Sequence, residues 1–264
     1  MLRLCHSKKC MDRAFRQGHL TIDFPTPPFD SALATLTRSL RVFWATLPFL
    51  ATVTLVVYLP GKLATQLICE IAGIPFEGVA SYFVIEASSL VLGCLVVPAA
   101  IFGVVAWLRT GRTAPLGESF RWGRRQFGRT LANQLAVEMT VALWGTLLIV
   151  PGVMAMVRLA FTDTLIAVEG DEATQPLDGS RQLTQGRRWR IFGVLLPIAV
   201  LAMSADFLLL ERIQAGTHSR VAFALADSFL GIPEQLTTVA TLLMYLGTVQ
   251  PRVTIQQRVT KLKP

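Results

Sequence analysis

Apolar positions along the chain gather into long runs, and short basic segments separate them. Runs near the length that crosses a hydrocarbon core, about 20 residues, fall at 42–60, 83–108, 131–150, 153–169, 191–210 and 233–250. Only Pro151-Gly152 parts the third run from the fourth. That dipeptide reads as a tight hairpin turn, because Pro and Gly end one helix and start the next. The fourth run is short and rises only about 26 Å.

The segments before the odd-numbered runs share a pattern. They begin PFDSALATLTRSLRVFW at Pro28, PLGESFRWGRRQFGRTL at Pro115 and PLDGSRQLTQGRRWRIFG at Pro176. Each opens on Pro, carries a Ser three or four positions on (Ser31, Ser119, Ser180), and ends on an Arg (Arg41, Arg129, Arg190) just before a run. Pro followed by acidic or hydroxyl residues is a helix start signal. Phe29, Leu33, Leu36, Leu40 and Phe43 form an apolar stripe at helical spacing in the first copy, as do Leu116, Phe120, Phe127 and Leu131 in the second. The third stripe is weak. A basic helix with one apolar face lies in a membrane interface with its cations towards anionic head groups. Arg121, Arg124, Arg125, Arg129, Arg187, Arg188, Trp189 and Arg190 are therefore the expected lipid-contacting residues. The expected fold is an all-α membrane protein: six transmembrane helices as three hairpins, each preceded by an amphipathic interfacial helix. Residues 1–27 read as a disordered cytoplasmic segment, 28–252 as the membrane domain and 253–264 as a basic cytoplasmic tail.

Composition agrees. The chain is 52% hydrophobic and 16% charged, with mean hydropathy +0.51, against about 25% charged in soluble domains. The net charge of +8 is explained by topology. With six spans and both termini in the cytoplasm, 21 Lys and Arg fall inside and only Lys62, Arg212 and Arg220 outside. Without a crossing at 153–169 the split weakens to 15 against 9. The positive-inside rule favours six spans in a bacterial inner membrane. No nucleic-acid reader motif accompanies the positive charge. No apolar h-region precedes residue 42, so no cleavable signal is expected, and Met11 is a second candidate start.

Charges inside the runs are the candidate chemistry, since a charge at the bilayer centre costs about 2.5–3.5 kcal/mol. Arg158 lies about 10 Å past the hairpin turn by helix rise, where Glu86 or Asp206 could pair with it. Asp163 points about 140° away from Arg158 on the same helix. Its facing level on the preceding run is Glu138. Two carboxylates at one depth can share a proton, as in transporter relays. Alternatively Asp163 reaches Arg187 or Arg188 as a cytoplasmic-side lock.

Catalytic signatures do not appear. No nucleophile elbow, phosphate loop, zinc-protease motif or dinucleotide fingerprint is present. His6, His19 and His218 neighbour no candidate nucleophile. Cys5, His6 and Cys10 lack a second ligand pair at zinc spacing. Cys69, placed in an external loop, and Cys94, in a span, do not suggest a disulfide framework. Carboxylates on the outer side (Glu70, Glu77, Glu211) are the one place a metal-dependent activity could assemble. No cofactor is expected. The expected partners are anionic membrane lipids, and a membrane protein or a second copy of the chain.

The stretch from Pro151-Gly152 through Arg158, Phe161, Glu169, Leu177, Ser180, Leu183, Gly186, Arg187, Trp189 and Phe192 resembles bacterial multi-pass membrane proteins. It is similar to the membrane domain fused to glycerophosphodiester phosphodiesterases and to YciC-like inner-membrane proteins, with the likeness running over most of 28–252. That resemblance implies a six-helix inner-membrane protein and no catalytic residue, since catalysis in the fused proteins belongs to a soluble domain. The leading expectation is a non-enzymatic structural or accessory envelope component. The alternative is a small transporter or lipid-handling protein using Arg158, Asp163 and Glu138.

Overall fold

The computed structural model describes residues 31–75, 79–170, 175–217 and 219–261. The expectations for residues 1–27, Phe29, Glu77 and His218 lie outside the described residues. Those described are helical with no strand. In chain order the helices are α1 (Ala32–Ile71), α2 (Val79–Thr110), α3 (Leu116–Leu147), α4 (Ile149–Leu159), α5 (Thr162–Glu169), α6 (Pro176–Thr184), α7 (Arg188–Thr217) and α8 (Arg220–Lys261).

Five stretches are long and apolar enough to cross a membrane: Ala32–Ile71, Val79–Thr110, Val150–Glu169, Arg188–Ala205 and Arg220–Val249. These helices mark the chain as a membrane protein. Helix α3 is not among them, because Asn133, Gln134 and Glu138 dilute its apolar half.

Two of the three expected interfacial helices are not separate elements. Helix α1 starts at Ser31, whose hydroxyl accepts the Ala34 N–H at 3.1 Å. It then runs without a break through the expected first span and beyond it, past Pro48 and Pro60. A proline removes one hydrogen bond to the preceding turn, and long packed neighbours carry the helix across that gap. Helix α3 likewise merges the second basic segment with the third run. Only the third copy stands apart as α6, cut from α7 by Gly186 at φ 77°. The segment read as an outer loop, 211–232, is also helical: α7 extends to Thr217 and α8 begins at Arg220.

The turn between α3 and α4 is one residue, not Pro151-Gly152. Leu148 is extended (φ −159°, ψ 139°) and α4 begins immediately after it. Pro151 sits in the first turn of α4, where backbone N–H groups have no helical acceptor and their loss is cheap. Gly152 serves a different purpose there. A Cβ on it would lie 2.8 Å from Gly145 Cα, so the two backbones touch where the chain doubles back.

Helices α1 and α8, first and last, pack against each other, with α2 on α1 and α3 on α2. The shared core holds Leu50, Val53, Val96, Ile101, Phe161, Ile191, Val239 and Leu242. Packing is uneven along the molecule. Core residues cluster where the first half of α1, the end of α2, the start of α3, α5, α6 and the middle of α8 meet. The far part of α3 exposes Leu135, Met139, Leu143 and Trp144, and α7 exposes Val200, Leu201, Met203 and Phe207.

Candidate functional site

The run Val150–Glu169 is broken at Ala160-Phe161, between α4 and α5. A break leaves backbone groups without helical partners. Ser180 of α6 supplies them: its hydroxyl accepts the Phe161 N–H at 3.1 Å and donates to the Arg158 carbonyl at 2.8 Å. The Thr184 hydroxyl reaches the same carbonyl at 3.4 Å. Leu165 would touch a Cβ on Gly179 at 3.3 Å, so α6 lies flat across the break.

Other polar groups tie α5 to its neighbours. Trp122 Nε1 of α3 donates to the Ala167 carbonyl at 3.0 Å. The Arg129 guanidinium donates to the Gly170 carbonyl. The Tyr245 hydroxyl of α8 donates to Glu169 at 2.7 Å, and its ring meets Phe161 edge-on at 6.4 Å. Trp122 also stacks on Phe102 at 5.9 Å.

Asp163 lies in the first turn of α5, and its buried Oδ1 has no hydrogen-bond partner. The lock expected with Arg187 or Arg188 is not formed: Arg187 Nη1 and Arg188 Nε are themselves buried without partners. Glu138 is close enough for its charge to act on Asp163, and Asp163 acts in turn on the Cys94 thiol. The two carboxylates differ in setting. Asp163 is half-buried, whereas Glu138 is exposed and accepts from Gln134 at 3.1 Å.

Arg158 is not held in the bundle. Its side chain is exposed, and its carbonyl accepts from Ser180 of α6. The pairing expected with Glu86 is not made; Glu86 is exposed on the first part of α2. Asp206 belongs to α7, and its side chain lies outside the described residues.

The second basic segment also shows a different face from the one expected. Ser119, Trp122, Gln126 and Thr130 are buried. Leu116 is exposed, while Phe120, Phe127 and Leu131 are half-buried. Polar and small groups thus face the protein, and the apolar stripe lies at the flank. Lipid tails are as apolar as a protein core, so a membrane helix has no need to turn its apolar face inward. Arg121, Arg124 and Arg125 line a shallow recess with Phe120. Trp189 is 82% exposed beside Arg190.

A second polar cluster was not anticipated. Lys62 is 3% exposed, within α1, and pairs with Asp227 of α8 at 2.6 Å. Its ammonium also donates to Ser89 of α2 and lies 5.9 Å from the centre of the Tyr58 ring. Gly231 of α8 packs on Thr54 and Tyr58, where a Cβ would meet them at 3.2 and 3.4 Å. One signal could have found the cluster: Lys62 follows Tyr58 by one helical turn, so reading past Pro60-Gly61 places an unpaired cation in a membrane helix. Cys69 and Cys94 are buried free thiols; Cys69 lies in α1 rather than a loop. No group of three or more metal-ligating side chains forms among the described residues.

A family model described as a domain of unknown function (DUF7847) matches residues 77–249, more than half of the chain. No curated protein matches. No solved structure matches.

Proposed function

The chain belongs to the DUF7847 family, and from that premise we propose that it is a non-enzymatic accessory protein of the bacterial inner membrane. It crosses six times as three hairpins, with both termini in the cytoplasm. The far part of α3 is the third crossing, added to the five long apolar stretches, and the 21-to-3 division of Lys and Arg supports that topology.

One observation carries the accessory role. Lys62, Glu169, Trp122, Arg129 and Ser180 spend their polar groups on neighbouring helices instead of lining a path. The far part of α3 meanwhile leaves Leu135, Met139, Leu143 and Trp144 uncovered, with Glu138 among them. A carboxylate on an apolar membrane face seeks a polar partner. A transmembrane partner bringing a cation to Glu138 satisfies that need.

The test is native mass spectrometry of the chain extracted gently from its own membrane. A second polypeptide at fixed stoichiometry, lost in Glu138→Leu, is expected. A chain that extracts alone and unchanged by that substitution removes the proposal. A reporter active only in the cytoplasm, fused after Pro264, is expected to be active; silence there removes the topology.

Asp163 supports a second reading, proton-coupled transport. A buried carboxylate oxygen without a partner, within reach of Glu138, is the arrangement a proton relay needs. Flux of a solute in proteoliposomes, abolished in Asp163→Asn, separates it from the accessory role.

A further inference from the structure

Helices α4 and α7 enclose a groove with hydrocarbon walls. On α4 it is lined by Val150, Val153, Met154 and Val157, a single stripe at helical spacing that runs about 10 Å along the axis. On α7 it is lined by Trp189, Phe192 and Arg188, the last through its aliphatic stem.

One end of the groove is cationic. Arg188 Nε and Arg187 Nη1 are buried and find no acceptor in the protein. A buried guanidinium N–H without an acceptor is costly, at least as much as a neutral donor. The acids nearby do not meet that need. Asp178 of α6 is already paired with Arg181 at 3.1 Å, and Asp163 Oδ1 is itself unpartnered. Val157, at the same end of the α4 stripe as Arg188, precedes the Arg158 carbonyl that Ser180 and Thr184 hold. Arg188 thus lines a hydrocarbon slot with Arg187 next to it in the chain, beside an indole 82% exposed. Trp favours the boundary between tails and head groups.

We propose that this groove binds one anionic glycerophospholipid. An acyl chain lies along the α4 stripe, and the phosphate accepts from Arg187 and Arg188. The fit is one of charge as well as shape: a zwitterionic lipid brings its own cation to the arginines, and an anionic one does not. This site rests on the membrane-embedded reading of the chain and is independent of the accessory role.

The test uses the full chain in phosphatidylcholine vesicles containing phosphatidylglycerol, with brominated acyl chains on one lipid or the other at equal bromine content. Quenching of Trp189 is read as the difference from Trp189→Phe. A preference for phosphatidylglycerol of roughly tenfold is expected. The double variant R187Q/R188Q is expected to lose it, and R187K/R188K to keep most of it. Met154→Trp, which fills the slot, is expected to remove quenching of Trp189 by both lipids. Equal quenching by both lipids in the unaltered chain overturns the proposal, as does a preference that survives R187Q/R188Q. A Trp189 shielded from both lipids overturns it too and points to a second copy or a partner helix in the groove. Failure of the chain to float with the vesicles overturns the membrane reading; floating without a preference overturns the site alone.

Discussion

The Ser180 hydroxyl takes the Phe161 N–H at 3.1 Å and gives its own proton to the Arg158 carbonyl at 2.8 Å, replacing the backbone bonds that α4 loses where it stops. Ser180 and Phe161 are fully buried. A helix interrupted inside apolar surroundings persists only where another group satisfies the freed backbone. Here that group comes from the one basic segment that remains a separate helix.

Replacement of Ser180 by Ala removes both bonds and leaves a buried donor and acceptor unsatisfied. A loss of about 2 kcal/mol is expected, read as an earlier midpoint in denaturation by sodium dodecyl sulfate. Thr184, at 3.4 Å from the same carbonyl, is a weaker support, so Thr184→Val should cost less. A midpoint unmoved in Ser180→Ala would show that the break is held by packing alone.

The Lys62–Asp227 pair gives a double-mutant prediction. Lys62→Met leaves the Asp227 carboxylate without its 2.6 Å partner and should cost about 3 kcal/mol. Adding Asp227→Leu should return most of that stability, because an apolar pair of similar size often replaces a buried ion pair at little cost. Equal losses in the single and double variants would mean that Ser89 and Tyr58, and not Asp227, answer the charge.

The turn at Leu148 depends on close backbone approach. Gly152→Ala would put a methyl 2.8 Å from Gly145 Cα, and overpacking of this kind costs about 1–3 kcal/mol. Gly128→Ala in α3 meets nothing within 4 Å. It should be neutral or stabilise by up to about 1 kcal/mol through helix propensity. Similar behaviour of the two variants would place the backbone contact in doubt.

Asp163→Asn separates structure from transport. The buried Oδ1 has no partner to lose, and a neutral amide is cheaper to bury than a carboxylate. Folded yield and thermal stability should therefore hold or rise. A fall in stability would reveal that the carboxylate is held by an interaction only its charge can make.

Much of the architecture was legible as apolar runs, because a membrane helix must show about 20 apolar residues in a row. The ends of the helices were not. Pro60-Gly61 looks like a stop, yet α1 continues to Ile71. Gly61 is where Leu92 presses in, 2.6 Å from where a Cβ would be, so that glycine marks a helix crossing and not a turn. The stretch holding Asp227 carried too much polarity to read as a span, and its partner stood 165 positions earlier. The buried face of α3 was misread for a related reason. The stripe Leu116, Phe120, Phe127 and Leu131 is real, but in lipid apolarity alone does not say which face is covered. Ser180 was visible as a repeated serine. Its role depends on a break at Ala160-Phe161 that no proline or glycine announces.

The span between Lys62 and Asp227 also sets a clock. At about 5–20 residues per second, synthesis from Lys62 to Asp227, 165 positions on, takes roughly 10–30 s. Throughout that interval α1 and its ammonium exist while α8 does not. Ser89 arrives only 27 residues after Lys62, in the very next helix. Of the two partners that hold the ammonium in the folded chain, it is the one available early; the carboxylate comes only with the last helix.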